Sequence, residues 1–130
     1  MTRWALDSFA VLAFLQKETG WERVRGLLSE ASQGKAELYM SVINIAEVKY
    51  LLERRGKGNP QVLAAIEALP IKIISADVSI DRVVEIKAHN AVSLADCFAA
   101  AVAVELDCPV VTADPEFKKL ESIVRVEWLK

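Results

Sequence analysis

Hydrophobic and polar residues follow two different periods along this chain, and the two periods take turns. Short apolar or β-branched runs predict five strands, at Arg3–Asp7, Ala36–Ser41, Ile71–Ser75, Pro109–Thr112 and Ile123–Trp128. Apolar residues that recur every three or four positions predict six helices, at Ser8–Gln16, Gly20–Gln33, Asn44–Arg55, Pro60–Leu69, Asp77–His89 and Ser93–Leu106. This alternation favours a three-layer α/β/α domain, in which helices cover both faces of a central parallel sheet.

The sequence shows no internal repeat, low-complexity tract or linker long enough to separate two domains. Its 130 residues suffice for one compact core without support from disulfides or metals. Gly56–Asn59, with Pro60 directly after it, is expected to form a turn between two helices. We therefore expect one domain over residues 1–130.

Composition indicates a folded protein outside the membrane. The chain is 53% hydrophobic and 26% charged, which is typical of a soluble globular domain. Its longest uncharged apolar runs, Phe9–Leu15 and Phe98–Val104, each have seven residues, whereas crossing a bilayer takes about 20. We therefore expect a cytoplasmic protein. Two cysteines, Cys97 and Cys108, do not make a disulfide framework and are expected to be reduced core residues.

Four acidic residues stand where an apolar run gives way to the start of a helix. They are Asp7, Glu47, Asp96 and Asp114. In right-handed β–α–β units the carboxyl ends of strands and the amino ends of helices share one edge of the sheet, and open sheets of this class bind ligands there. The four carboxylates can therefore converge, and a cluster of hard oxygen ligands suits Mg²⁺ or Mn²⁺ rather than zinc.

Each of these acids also has a purely structural interpretation. Ser93 and Asp96 fit a capping box, the Asn44–Glu47 segment nearly fits one, and Asp114 precedes a proline at the first helical position. Carboxylates at helix N-termini are favoured by ~0.3–1 kcal/mol in any case. Asp77 has the same local pattern, so spacing alone leaves capping and catalysis both open.

Four short segments resemble, in order, the motifs of the PIN-domain nucleases, and in particular the toxin ribonucleases of toxin–antitoxin pairs. The segments are LDSFAVLAFL around Asp7, INIAEVKY around Glu47, SLADCFAAAVA around Asp96 and VVTADPEF around Asp114. Together they extend the resemblance over essentially the whole chain.

The resemblance implies a PIN-like fold and metal-dependent hydrolysis of RNA, with 5′-phosphate and 3′-hydroxyl products. Asp7, Glu47, Asp96 and Asp114 are then the metal ligands and the catalytic residues, and Mg²⁺ or Mn²⁺ is the cofactor. The resemblance further implies a cognate antitoxin protein that covers the acidic edge, and a homodimer.

Two hydroxyl residues and one further acid lie beside these four. Thr112 is expected to donate a hydrogen bond to a ligand carboxylate or a substrate phosphate, or else to be a plain β-branched strand residue. Ser8 is expected either to support Asp7 in a similar way or to be solvated, and Phe9 after it departs from the hydroxyl residue common in the family. Glu116 is expected to approach the metal or to be an exposed first-turn acid.

Binding of RNA requires cationic residues as well. The formal net charge is −2, from 16 Lys plus Arg against 18 Asp plus Glu, but the remainder of the chain is mildly basic once the four acids are set aside. Candidate phosphate contacts, with a solvated helix surface as the alternative, are Arg54, Arg55, Lys57, Lys118 and Lys119.

Other enzyme classes lack the residues they require. His89 is the only histidine and is expected to interact with a helix C-terminus, which disfavours Ser-His-Asp and Cys-His hydrolases. No glycine-rich phosphate loop is present. A receiver domain would require a second acid beside Asp7 early in the chain, and a dehalogenase-type phosphatase would require an aspartate at the position of Phe9. Both classes are therefore disfavoured. A housekeeping RNA-processing or structure-specific nuclease and a non-catalytic binding scaffold stay open as alternatives.

Overall fold

A five-stranded parallel sheet forms the centre of the molecule, in a computed structural model that describes residues 1–129. The strands are β1 (Thr2–Leu6), β2 (Ala36–Ser41), β3 (Lys72–Ile74), β4 (Val110–Thr112) and β5 (Val126–Trp128). Their order across the sheet is β3-β2-β1-β4-β5, and every neighbouring pair is parallel. The chain therefore moves outwards from β1 to β3 on one side, and then returns to add β4 and β5 on the other side of β1.

Side chains of the inner strands alternate between two hydrophobic layers. Leu6 and Val111 belong to one buried cluster, whereas their chain neighbours Ala5 and Val110 belong to the other. This alternation is the two-residue period of a strand, and it buries both faces of the sheet.

Helices cover both faces. The first four, α1 (Ser8–Gln16), α2 (Trp21–Ser32), α3 (Val42–Arg54) and α4 (Pro60–Glu67), contribute to the cluster that contains Leu6. The other two, α5 (Ile80–His89) and α6 (Leu94–Glu105), contribute to the cluster that contains Ala5. Two short 3₁₀ turns, Ala76–Ser79 and Pro115–Leu120, complete this second layer.

The expected three-layer α/β/α architecture is confirmed, and all five strands and six helices occur in the predicted order. β5 begins at Val126 rather than at Ile123. α3 begins at Val42 rather than at Asn44, because the Ser41 hydroxyl caps it by accepting the Ile43 N–H at 3.2 Å. The interpretation of Asn44–Glu47 as a near capping box is therefore wrong. Asn44 lies inside the helix and is buried.

Smaller differences arise where tertiary packing overrides local pattern. The predicted helix from Asp77 to His89 is split into a 3₁₀ turn and α5, and the turn Pro115–Leu120 was not predicted as an element. Cys97 and Cys108 are buried free thiols, as expected, and burial raises the pKa of both. Within residues 1–129, the structure contains no helix long and apolar enough to cross a membrane.

Candidate active site

The strand order brings three strand ends together at one edge of the sheet. β1 lies between β2 and β4, so the residues that follow these three strands are neighbours. α1 and α3 start directly at this edge. The strand order reverses between β1 and β4, and α/β sheets of this kind bind ligands in the crevice at such a reversal.

Asp7 lies at the centre of this edge. It is 1% exposed and is the N-cap of α1, where its Oδ1 accepts the backbone N–H of Ala10 at 2.9 Å. Its other oxygen, Oδ2, accepts a short hydrogen bond from the hydroxyl of Thr112, the last residue of β4. Asp7 is therefore both a helix cap and a carboxylate fixed across the β1–β4 crevice.

Burial raises the pKa of Asp7 from its ordinary value of 3.8 to about 7. The hydrogen bonds from Thr112 and Ala10 oppose this shift, and the negative charges of Asp96 and Asp114 add to it. The negative charges of two other candidate ligands therefore act on Asp7, although both residues are far from it in the sequence.

Asp96 is in the first turn of α6 and is 6% exposed. Its backbone N–H is capped by the hydroxyl of Ser93 at 3.1 Å. Burial raises the pKa of Asp96 to about 6, and the nearby charges of Asp114, Glu47 and Glu116 contribute, whereas Ser93 opposes the shift. The charges of Asp96 and Asp114 thus act on Asp7, and those of Asp114 and Glu47 act on Asp96.

Thr112 links the two acids that follow β1 and β4. Its hydroxyl donates to Asp7 and accepts the backbone N–H of Asp114 at 2.9 Å. Asp114 is half-buried, and its Oδ1 accepts the backbone N–H of Glu116 at 3.0 Å. Thr112 therefore contacts a candidate ligand carboxylate, which is one of the roles expected for it.

Glu47 approaches the same edge from α3, one turn beyond its start, and is half-buried. Glu116 is exposed and forms an ion pair with Lys119 at 3.0 Å. Both lie close enough to Asp96 to raise its pKa.

The carboxylates lie near one another, but their oxygens do not converge on a single point. Within residues 1–129, no set of three or more Asp, Glu, His or Cys side chains is close enough in this arrangement to hold one metal ion. The donor chemistry does fit a hard divalent cation, because the groups that influence Asp7 and Asp96 are carboxylates and hydroxyls.

Sequence reasoning missed the role of Asn44, which lies among the first turns of three helices. It is 1% exposed, and its Nδ2 donates to the Ser8 hydroxyl at 3.2 Å and to the Ala95 carbonyl at 3.1 Å. Ser8 in turn donates to the Asn44 backbone carbonyl at 3.2 Å. Ser8 is therefore neither solvated nor bonded to Asp7. In the sequence, an uncharged side chain one turn before Glu47 does not by itself indicate a role at the site.

The candidate RNA contacts fall into two groups. Lys118 and Lys119 are in the turn after Asp114, and Lys119 also donates to the Ala91 carbonyl at 3.1 Å, so its ammonium group already ties two segments together. Arg54 is the last residue of α3, about 10 Å beyond Glu47 along the helix axis by the usual rise per residue.

The other two cations of that group continue past the end of α3. Arg55 donates to the Gln16 side chain at 2.7 Å, and Lys57 follows it in the exposed turn. These residues lie towards the opposite end of α3 from the acids.

Two residues outside the site serve as comparisons. Asp77 follows β3, which is an edge strand, and it is exposed and accepts a hydrogen bond from Ser75 at 2.6 Å. His89 is the last residue of α5, where its Nδ1 lies 3.0 Å from the Glu85 carbonyl. Both have local structural roles, as expected for His89.

Two cavities of about 320 and 330 Å³ lie elsewhere. One is beside Arg3 and Arg125, and the other is between Leu15, Leu52 and Val62. None of the four acids lines either cavity. The assignment of the site therefore depends on the strand order and on the charges of the acids, and not on a deep pocket.

Comparison with known proteins identifies the fold. A sequence model of the PIN domain matches residues 5–123, which include every candidate acid. A search of curated protein sequences gave no match.

Solved structures of similar fold cover nearly the whole chain. DNA-bound VapBC from Salmonella typhimurium matches with a TM-score of 0.71 and 20% identity, over 98% of this chain and 98% of that one. VapBC2 from Rickettsia felis, bound to a DNA fragment of its promoter, matches with 0.69 and 18%, over 99% and 100%. VapC20 from Mycobacterium tuberculosis, a toxin that cleaves the sarcin–ricin loop, matches with 0.69 and 17%, over 98% and 99%. At these identities the likeness concerns the fold. Together with the match over residues 5–123, it leads to one conclusion: this chain belongs to the PIN domain family.

Proposed function

We propose that this protein is a metal-dependent endoribonuclease. The observation that carries the proposal is that two buried carboxylates at the β1–β4 reversal of a PIN domain have neighbouring acids: the charges of Asp96 and Asp114 act on Asp7, and those of Asp114 and Glu47 act on Asp96. Carboxylates whose pKa is raised by burial and by nearby negative charge are costly for the fold, and such groups concentrate at functional sites.

Asp7, Glu47, Asp96 and Asp114 are the proposed ligands of Mg²⁺ or Mn²⁺. A bound ion would replace the repulsion between carboxylates by attraction, so the side chains would close around it while their backbones stay in place. When bound, it supplies a water of lowered pKa and stabilises charge that develops on the phosphodiester during in-line attack.

The protein's own groups orient the reaction. Thr112 holds the Asp7 carboxylate towards β4 and so fixes the direction from which it can bind. In the metal-free protein, burial raises the pKa of Asp7 to about 7 and that of Asp96 to about 6, so a cation that binds there would displace protons near neutral pH. Lys118, exposed in the turn after Asp114, is the cation best placed to contact the RNA backbone.

The toxin assignment is also a proposal. Solved structures of similar fold include VapBC from Salmonella typhimurium and the toxin VapC20 from Mycobacterium tuberculosis. By analogy, this chain would cleave RNA as the toxin of a cytoplasmic toxin–antitoxin pair. Its antitoxin would place a basic side chain at the acidic edge, where neither Asp7 nor Asp96 forms an ion pair within residues 1–129.

We further propose a homodimer formed through α5. Val78, Ile80 and Val84 are 63%, 44% and 62% exposed, and Ile80 and Val84 are four residues apart on one helix face. A second copy of the chain would remove this apolar surface from water. Light scattering should give twice the chain mass for the wild type and a shift towards monomer for Val84→Lys; a wild-type monomer would contradict the proposal.

Cleavage of labelled RNA tests the enzymatic proposal. Wild-type protein should cut with Mg²⁺ or Mn²⁺ and stop in excess chelator, and Asp7→Asn should lower the rate at least 100-fold. Asp77→Asn is the matched control, because Asp77 also follows a strand but lies outside the group of acids. Activity that persists in chelator, or in Asp7→Asn, would contradict the proposal.

Expression in bacteria tests the toxin proposal separately. The wild type should arrest growth, and Asp96→Asn should relieve the arrest at equal protein level. Where a small open reading frame adjoins the gene, its co-expression should restore growth and yield a complex of the two proteins that purifies together. Normal growth with an enzyme active in vitro would contradict the toxin assignment alone.

A further inference from the structure

The polar bridge between Ser8, Asn44 and Ala95 lies at the meeting point of three helix N-termini. Ser8 is the first residue of α1, Asn44 is in the first turn of α3, and Ala95 is in the first turn of α6. Asn44 donates to Ser8 Oγ and to Ala95 O, and Ser8 Oγ donates to Asn44 O. One asparagine side chain thus connects three helices.

Each connected residue is next to a candidate ligand, or one turn from it. Ser8 directly follows Asp7, Ala95 directly precedes Asp96, and Glu47 is three residues after Asn44 on the same face of α3. The bridge therefore fixes the backbones that carry three of the carboxylates.

The orientation of the Asn44 amide follows from chemistry. The Ala95 carbonyl can only accept a hydrogen bond, so the Asn44 amide must present its NH₂ group there and point its oxygen elsewhere. That oxygen, Oδ1, is buried and has no hydrogen-bond partner within residues 1–129.

A buried amide with an unpaired oxygen does not serve stability well. Burying the amide without a partner for its oxygen costs free energy. Stability of the fold alone does not explain an asparagine here, whereas a requirement for two directed N–H donors does.

We propose that Asn44 is a positioning residue, which holds the first turns of α1, α3 and α6 at the separation at which Asp7, Glu47 and Asp96 can share a divalent cation. Mutual repulsion of these carboxylates pushes the three helix ends apart, and the bridge resists it. This inference rests on the proposed metal-dependent function and deepens it, because it names the residue that keeps the ligand set together.

Titration of the intact protein with Mn²⁺ tests the inference, together with melting curves in chelator. Asn44→Leu keeps the number of side-chain heavy atoms and removes both donors, so the Mn²⁺ affinity of the folded variant should fall about 10–100-fold. A purely structural role predicts lowered stability in chelator with unchanged Mn²⁺ affinity.

Ser79→Ala is the matched control. Ser79 is 2% exposed, and its hydroxyl also lacks a partner within the described residues, but it lies in the 3₁₀ turn before α5 and takes no part in the Asn44 bridge. Its Mn²⁺ affinity should equal that of the wild type. Ser8→Ala should weaken Mn²⁺ binding by a smaller factor, and the double variant with Asn44→Leu should be no weaker than Asn44→Leu alone, because both substitutions break the same bridge.

The possible outcomes distinguish failure of this inference from failure of the proposed function. Mn²⁺ affinity of Asn44→Leu within twofold of the wild type would overturn the inference and leave the proposed function intact. A wild type that binds no Mn²⁺ would overturn both. If Asn44→Leu does not fold, Ser8→Ala decides in its place, and an unchanged affinity there would overturn the inference.

Discussion

At the scale of single residues, the decisive feature is a carboxylate in a place where water cannot reach it. Asp7 is 1% exposed, and two hydrogen bonds from Ala10 and Thr112 do not fully offset the loss of solvation, so its pKa is raised to about 7. The metal-free protein therefore carries an unfavourable charge above neutral pH.

This shift predicts how stability depends on pH. Because the folded-state pKa of Asp7 is raised above its ordinary value of 3.8, its contribution to stability is fully present below that value and is lost as the pH rises towards about 7. In chelator, this residue should cost the wild type roughly 2–3 kcal/mol between pH 5 and pH 8.

Urea unfolding at the two pH values measures the loss, with Asp7→Asn as the reference, since asparagine does not titrate. The decrease in unfolding free energy from pH 5 to pH 8 should be larger for the wild type than for Asp7→Asn. Added Mn²⁺ should restore the stability of the wild type at pH 8 and should stabilise Asp7→Asn by less. Parallel pH profiles for the two proteins would contradict the assignment.

Thr112 gives a second prediction at this scale. Thr112→Val preserves shape but removes the donor to Asp7 and the acceptor for the Asp114 N–H. Stability should fall by about 1–3 kcal/mol, because buried polar groups lose their partners, and RNA cleavage should fall about 10–100-fold.

Thr112→Ser retains the hydroxyl and should recover most of both losses. A Thr112→Val enzyme with wild-type kcat and KM would show that the hydroxyl does not orient Asp7 for the reaction.

At the scale of elements, the helix caps at the acidic edge have a double role. Ser93 caps α6 by accepting the Asp96 N–H at 3.1 Å, and Asn59 caps α4 by accepting the Val62 N–H at 2.9 Å. The two caps are alike locally, but only the first is beside a candidate ligand.

Replacement of either cap by alanine should lower the unfolding free energy by about 1 kcal/mol. Ser93→Ala should in addition lower Mn²⁺ affinity, because the first turn of α6 then frays around Asp96. Asn59→Ala should bind Mn²⁺ as the wild type does. Calorimetric titration of both variants checks this, and equal affinities would contradict the link between cap and site.

Two glycines in and before α2 give a prediction about the fold itself. Gly20 has a φ of +90°, and a Cβ there would lie 2.8 Å from Cβ of Leu129, whereas Gly26 is inside the helix with open space around it. Gly20→Ala should therefore destabilise by more than 1 kcal/mol, and Gly26→Ala should stabilise by about 0.4–1 kcal/mol. Thermal melting shows whether each substitution raises or lowers stability. A stabilised Gly20→Ala would contradict the packing of the start of α2 against the residue that follows β5.

The sequence predicted the type and order of the elements better than their ends. β2 and α1 have the predicted bounds, whereas β5 begins at Val126, three residues later than predicted. α3 begins earlier than predicted because its N-cap is Ser41, which is also the last residue of β2. The spacing of apolar residues does not show that the last residue of a strand also caps the next helix.

At the scale of the whole molecule, strand order decides which acids meet. Asp7 and Asp77 follow strands in the same local pattern, but β1 is central and β3 is at the edge, so only Asp7 lies among the other carboxylates. That order is a long-range property, and no local pattern specifies it. Resemblance to the PIN family distinguished Asp7 from Asp77 where spacing could not.

The bridge through Asn44 was beyond sequence reasoning for a related reason. Its partners Ser8 and Ala95 are 36 and 51 residues away, and the three meet only once both layers of helices have packed on the sheet. The direct contacts of Thr112 were easier to anticipate, because it ends a strand and is two residues before Asp114 in the chain.

Calorimetric titration with Mn²⁺ tests most directly the claim that acids from separate parts of the chain form one cation site. Wild type and Asp77→Asn should bind with the same affinity, and Asp7→Asn and Asp96→Asn should each bind at least 10-fold more weakly. A wild-type protein that releases no heat of binding, or an Asp7→Asn variant that binds as tightly as the wild type, would contradict the account.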